Sequence, residues 1–102
     1  MKNRGIKVAE VQFVMIRPQD GLIGFASCVI DNNFYIGSMG VHTKLDGSGY
    51  RISYPSKRVG EKSVNFYYPI NAETGRAIEK AVSEKVDKLF NKNLWNNETI
   101  NN

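Results

Sequence analysis

Cysteine and histidine are nearly absent: the 102 residues include one of each, Cys28 and His42. A single cysteine excludes a disulfide framework and any zinc site built on thiolates. A single histidine, with no acidic cluster beside it, leaves little for metal or acid–base chemistry. Long apolar runs are missing too. The stretch after the basic Met1-Lys2-Asn3-Arg4 is broken by Lys7, Glu10, Gln12 and Arg17. A signal peptide needs about 7–15 uninterrupted apolar residues and a membrane span about 20, so neither is expected. With one unpaired cysteine, the cytoplasm is the default location. There is no internal repeat, no low-complexity domain and no linker.

What is present is ordinary for a globular chain: 41% hydrophobic and 24% charged residues exclude wholesale disorder. The length allows one domain. A domain of this size buries only about 60–70% of its unfolded surface, so self-association is a natural way to enlarge its core. Lysine and arginine outnumber aspartate and glutamate by 14 to 10, for a net charge of +4. That mild excess is compatible with a phosphate-rich partner.

Residues 7–16 alternate with period two. Ala9, Val11, Phe13 and Met15 share one face, opposite Glu10 and Gln12, which predicts a first strand. Residues 17–21, with Pro18 and Gly21, read as a turn. A second strand over 22–30 ends at Asp31-Asn32-Asn33, whose tolerance of positive φ suits a tight hairpin. A third strand starts at Phe34 and runs towards Thr43, and residues 45–49 form another hairpin signal. Tyr50 to Tyr54 alternate and stop at Pro55, which cannot donate to a ladder. Residues 56–63 read as a polar loop, and 64–68 as a fifth strand.

The period then changes. Asn71 is a good N-cap, Glu73 suits the positive end of a helix dipole, and Ile78, Ala81, Val82, Val86, Leu89 and Phe90 recur at helical spacing. The fold class is therefore α+β: an antiparallel sheet of about five strands with one C-terminal amphipathic helix packed on it. The domain is expected over residues 7–90, between a flexible N-terminus at 1–6 and an Asn-rich tail at 91–102 where Leu94 and Trp95 could anchor the chain. The second sheet face and the edges stay uncovered, so pairing across a two-fold axis predicts a homodimer.

Candidate chemistry is sparse. His42 has only Thr43 and Asp46 nearby in sequence, so a plain strand histidine is the simpler reading. Cys28 sits in an apolar strand as a small core residue. Gly47-Ser48-Gly49 is a turn, since neither a Gly-Lys-Ser/Thr run nor a helix follows it. No cofactor, metal or enzymatic activity is implied. The basic charge is better localised: Arg51, Lys57, Arg58 and Lys62 face one carboxylate, Glu61, within residues 51–62. Tyr50, Tyr54, Tyr67 and Tyr68 flank them. Cations with neighbouring aromatics can hold phosphates and stack on bases; the same residues can equally be edge-blunting lysines and half-buried strand formers. On the helix, cations alternate with Glu79, Glu84 and Asp87, the pattern of a solvated face.

Three blocks carry a family likeness: Ala26-Ser27 followed by Asp31 and Phe34; Gly49 through the Pro55-Ser56-Lys57-Arg58 motif; and Pro69-Ile70-Asn71 followed by a helix with Ile78, Ala81 and Val82. In their order and spacing they resemble the SpoVG family (stage V sporulation protein G, the septation protein), small bacterial nucleic-acid-binding regulators. The resemblance covers residues 7–90. It implies an antiparallel sheet with a C-terminal helix, a homodimer, and DNA binding, in places RNA binding, without catalysis, in transcription regulation linked to sporulation and septation. The nucleic-acid-binding positions are then Arg51, Lys57, Arg58, Lys62 and, at the helix start, Arg76. The chain departs from the family at Tyr68, where a histidine is usual, at Val64-Asn65, where an Arg-Asp pair is usual, and in an arginine-poor first strand. These departures reduce the basic surface. The alternative is a protein-interaction adaptor or inhibitor on the same fold, using the apolar residues around Phe66, Tyr67 and Tyr68.

Overall fold

The computed structural model describes residues 5–101, with side chains up to Phe90. Most of the expected flexible N-terminus, and the side chains of Leu94 and Trp95, lie outside the described residues. Strands β1 (Val8–Gln19), β2 (Leu22–Ile30), β3 (Phe34–Thr43) and β4 (Tyr50–Ser53) form one antiparallel sheet in the order β1-β2-β3-β4. Strands β5 (Ser56–Val59) and β6 (Lys62–Asn65) pair only with each other, and the helix α1 (Ala72–Asn101) follows. The fold is α+β, with four strands in the main sheet. The helix runs past the expected boundary at residue 91.

The turns obey their residue chemistry. Asp31 and Asn32 have φ of 52° and 60°, and the Asn33 N–H donates to the Ile30 carbonyl at 2.8 Å, a β-turn inside the three-residue loop that joins the partners Ile30 and Phe34. The Lys7 N–H donates to Asp31 Oδ1 at 2.7 Å and ties the start of β1 to that turn. The β1–β2 turn is confined to Asp20-Gly21, with φ of 54° and 89°, the last two residues of the expected 17–21 turn. Strand β1 therefore continues through Pro18, which an edge strand tolerates because one side of its backbone needs no donor.

Helix α1 is capped as expected: Asn71 Oδ1 accepts from the Thr74 N–H at 2.8 Å. Its stripe of Ile78, Val82 and Val86 is buried against Ile23, Ala26, Cys28, Met39 and Val41, and this is the core. Phe90 meets Phe13 edge to face, with centroids 6.4 Å apart and planes at 87°. Two of the four register shifts in the sheet are bulges in β1 and β3 that help decide which side chains reach this core. Glu10 adopts φ 50° between the pairs Ala9↔Val29 and Gln12↔Ser27, and Ser38 adopts φ 60° between Cys28↔Ile36 and Ala26↔Met39. Each adds one residue and reverses the alternation along its strand. Val11 and Phe13 consequently pack on the core, whereas Ala9 falls on the other face opposite Val29 and Met15 is exposed, so the expected four-residue face of β1 is split.

The expected polar loop at 56–63 is instead most of a β-hairpin, with Ser56↔Asn65, Lys57↔Val64, Arg58↔Ser63 and Val59↔Lys62 as partners. The expected fifth strand at 64–68 does not join the main sheet. After β6 the chain returns to the core through Tyr67, whose hydroxyl donates to the Gly37 carbonyl at 2.5 Å and whose ring meets Tyr54 edge to face at 5.9 Å. Among the described residues, no helix is long and apolar enough to cross a membrane.

Gly24 is where the sheet leaves no room. A Cβ there would meet the Val14 carbonyl oxygen, a backbone atom, and would come 2.6 Å from the Phe13 ring. Gly24→Ala should therefore destabilise the fold by about 1–3 kcal/mol, read as a lower urea midpoint. An unchanged midpoint would show that β1 and β2 are further apart than described.

Candidate nucleic-acid interface

The expected basic cluster divides among three surfaces. Lys57, Arg58 and Lys62 stand on the β5–β6 ribbon, every residue of which is exposed. Partners across an antiparallel pair share a face and successive residues alternate. Lys57, Val59, Lys62 and Val64 therefore occupy one face of the ribbon, and Arg58 occupies the other with Ser56, Ser63 and Asn65. The serine hydroxyls meet across that second face, Ser63 Oγ donating to Ser56 Oγ at 3.4 Å. Among the described residues, no carboxylate pairs with Lys57, Arg58 or Lys62.

Arg51 lies on β4. Its neighbours Tyr50, Ile52 and Tyr54 pack against the core beneath the helix, so Arg51 and Ser53 point to the uncovered face of the main sheet. There Arg51 is the cross-strand partner of His42. Arg76 is on the helix, in a cleft with Lys44, Tyr50, Glu79, Lys80 and Asp87. Arg51 and Arg76 thus stand on opposite sides of the sheet.

The tyrosines divide too. Tyr50, Tyr54 and Tyr67 are half-buried against the core and are structural. Tyr50 donates to Asp87 Oδ1 at 3.2 Å, which holds β4 to the helix. Burial pushes the Tyr54 and Tyr67 hydroxyls up to about 12. Of the four, only Tyr68 is exposed. It lines an apolar groove of about 180 Å³ together with Phe34, Ile36, Pro69 and Ile78.

Two residues singled out as simple remain so, with one addition. Cys28 is fully buried, and burial raises its thiol pKa, which opposes thiolate chemistry. His42 has a partner that sequence proximity could not name: its Nε2 shares a 2.9 Å hydrogen bond with Ser53 Oγ, from the next strand. Among the described residues, no group of three metal-ligating side chains comes together. No protein-family model matches the chain, and no curated protein matches it either.

Burial first, and then the Arg51 guanidinium, hold the His42 pKa below its ordinary 6.5. The unfolded chain thus takes up this proton at a higher pH than the folded chain. The contribution to stability is full above about pH 6.5 and declines as the pH falls towards the folded-state value. His42→Gln, which keeps a hydrogen-bonding group but does not titrate, should lose less stability than wild type between about pH 7.5 and 5 in urea unfolding. Parallel declines in the two proteins would contradict this reading.

Proposed function

We propose that the chain is a small homodimeric nucleic-acid-binding regulator of the SpoVG type, acting in the bacterial cytoplasm on DNA, with RNA as a second target, and without catalysis. The observation that carries this reading is the free-standing basic ribbon. The major groove admits a two-stranded ribbon, and Lys57 and Lys62 on one face with Arg58 on the other could reach phosphates on both walls. A two-stranded hairpin is marginal on its own in water, so an exposed one whose cations pair with no carboxylate among the described residues suits a surface that is completed by a partner. The likeness of the Pro55-Ser56-Lys57-Arg58 block to the SpoVG motif supports the same assignment. Arg51 can extend the footprint on the uncovered sheet face. Arg76, behind the sheet, stands apart from it.

Dimerisation is supported by exposed apolar surface more than by the sheet edges. Strand β1 is blunted by Pro18 and by its bulge, and β4 has only four residues. Val59 and Val64 on the ribbon are 57% and 48% exposed, and Phe34, Phe66, Tyr68 and Ile70 are exposed as well. Apolar area of this kind on a small domain marks an interaction surface. The same feature favours a second reading, in which an adaptor or inhibitor takes a partner's apolar side chain in the groove beside Tyr68.

Binding to duplex DNA should weaken linearly in log–log against salt, with a slope near −0.9 per phosphate contact. Lys57→Ala with Arg58→Ala should make the slope shallower by up to about 2 for each protomer bound. Equal binding by this variant and wild type at every salt concentration would remove the ribbon from the site, and a partner retained at high salt without nucleic acid would favour the adaptor. Light scattering should give twice the chain mass for wild type, and Val64→Asp should shift it towards the monomer. A monomeric wild type at micromolar concentration would refute the dimer.

A further inference from the structure

With the helix on one face of the main sheet, the described residues leave the other face open, and the register writes out what it carries. Val14 opposes Phe25, Phe25 opposes Gly40, and Gly40 opposes Ser53, one row across all four strands. The row beside it runs Leu22, His42, Arg51. On the other flank, Gln12 opposes Ser27 and Val29 opposes Tyr35. The bulge at Ser38 is what turns Tyr35 to this side, since strict alternation from the buried Met39 and Val41 would point it at the core. Phe25 is 41% and Tyr35 72% exposed, and both line one shallow cavity of about 490 Å³ with Gln12, Ser27 and Ser38.

Two glycines keep these rings uncovered. Gly40 gives Phe25 a cross-strand neighbour with no side chain, and a Cβ there would come 3.1 Å from His42 Nε2. A Cβ on Gly37 would meet Tyr35 Cε2 at 3.1 Å and Cζ at 3.2 Å, so the tyrosine ring lies along its own strand over that glycine. Hydrogen-bonding side chains stand between the rings, and a cation, Arg51, stands at one end. None of these rows contains a carboxylate; Asp20 and Asp46 lie at the far rim, in the cleft beyond His42 and Arg51.

The solvated face of an antiparallel sheet ordinarily presents polar residues, so exposed rings here call for an occupant. A second protein sheet is a poor fit, because it would bury Gln12, Ser27, Ser38 and Arg51 without partners. An extended polynucleotide suits both parts. Its bases have π-faces for the rings and edges for the amide and hydroxyls, and its phosphates suit the arginine. We propose that the open sheet face is a platform for single-stranded nucleic acid. Bases stack on Phe25 and Tyr35, Gln12, Ser27 and Ser38 bond base edges, and Arg51 takes a phosphate. This rests on the nucleic-acid reading above and names the substrate class of this face: single strands, because a duplex, which the ribbon can hold, keeps its base faces stacked.

The test uses a labelled oligothymidylate of about 20 nucleotides, an abasic strand of equal length and charge, and a duplex. Wild type should prefer oligothymidylate to the abasic strand. Phe25→Ala and Tyr35→Ala should each weaken oligothymidylate binding by about 5-fold or more, while Tyr35→Phe keeps it. Abasic and duplex binding and the salt slope should be unchanged. Tyr35 is a surface position, so its variant should also keep the wild-type unfolding midpoint. Unchanged oligothymidylate affinity in Tyr35→Ala, or an equal loss on the abasic strand, overturns the platform. So does a switch from dimer to monomer at unchanged affinity, which would give the face to a second copy. If only the Lys57 and Arg58 variant loses binding, the platform fails and the ribbon stands. If wild type binds none of the three probes, the reading under Proposed function fails first.

Discussion

One helix cannot cover two faces of a sheet. The chain has a single amphipathic stripe, Ile78, Val82 and Val86, and burying it against Ala26, Cys28, Met39 and Val41 makes a core on one side only. Every other feature follows from that asymmetry. Side chains under the helix are fixed by packing, and Tyr50, Tyr54 and Tyr67 belong to that side. Side chains on the opposite face are free to be used. A small domain accepts this arrangement because it has little apolar surface to spare, and the bare face becomes an asset when a partner supplies the missing layer.

Charge is distributed on the same plan. The four cations between residues 51 and 62 looked like one patch in the sequence, but the chain leaves the main sheet at Pro55 and lifts three of them onto a ribbon of their own. Arg51 stays behind on the uncovered face, and Arg76 sits on the helix beyond it. On the proposed function, the ribbon and the open face would divide the labour of recognition: phosphate contacts on the ribbon would give affinity with little sequence information, and the rings and polar groups of the open face would meet bases directly.

The helix, its Asn71 cap, the Asp31-Asn32 turn and the first three strands are legible in the sequence because each combines an apolar period with a residue of special backbone tolerance. The ribbon is not legible as strand, because all its residues are exposed and no buried face imprints an alternation. The aromatic rings open to a partner are also misplaced by pattern alone. Proximity to the cations singles out Tyr50, Tyr54 and Tyr67, yet Tyr50 on β4 and Tyr54 and Tyr67 beyond the strand ends all pack against the core. Phe25 and Tyr35 read as ordinary strand formers, yet register turns them outward. For Tyr35 the deciding element is the extra residue at Ser38, a non-glycine position with φ 60° that nothing in the local sequence announces. The His42–Ser53 bond is hidden for a related reason, since it joins two strands whose pairing must be known first.

The central claim is that nucleic acid meets this chain on the ribbon and on the open sheet face, away from the helix. Amide NMR of the labelled protein, titrated with a short oligothymidylate, tests it most directly. The account predicts shift changes over residues 56–65 and around Phe25, Ser27, Tyr35 and Arg51, with the solvent-facing residues of α1 around Lys80 and Lys88 unmoved. Changes confined to α1, or no changes at a concentration where filter binding detects a complex, would contradict it.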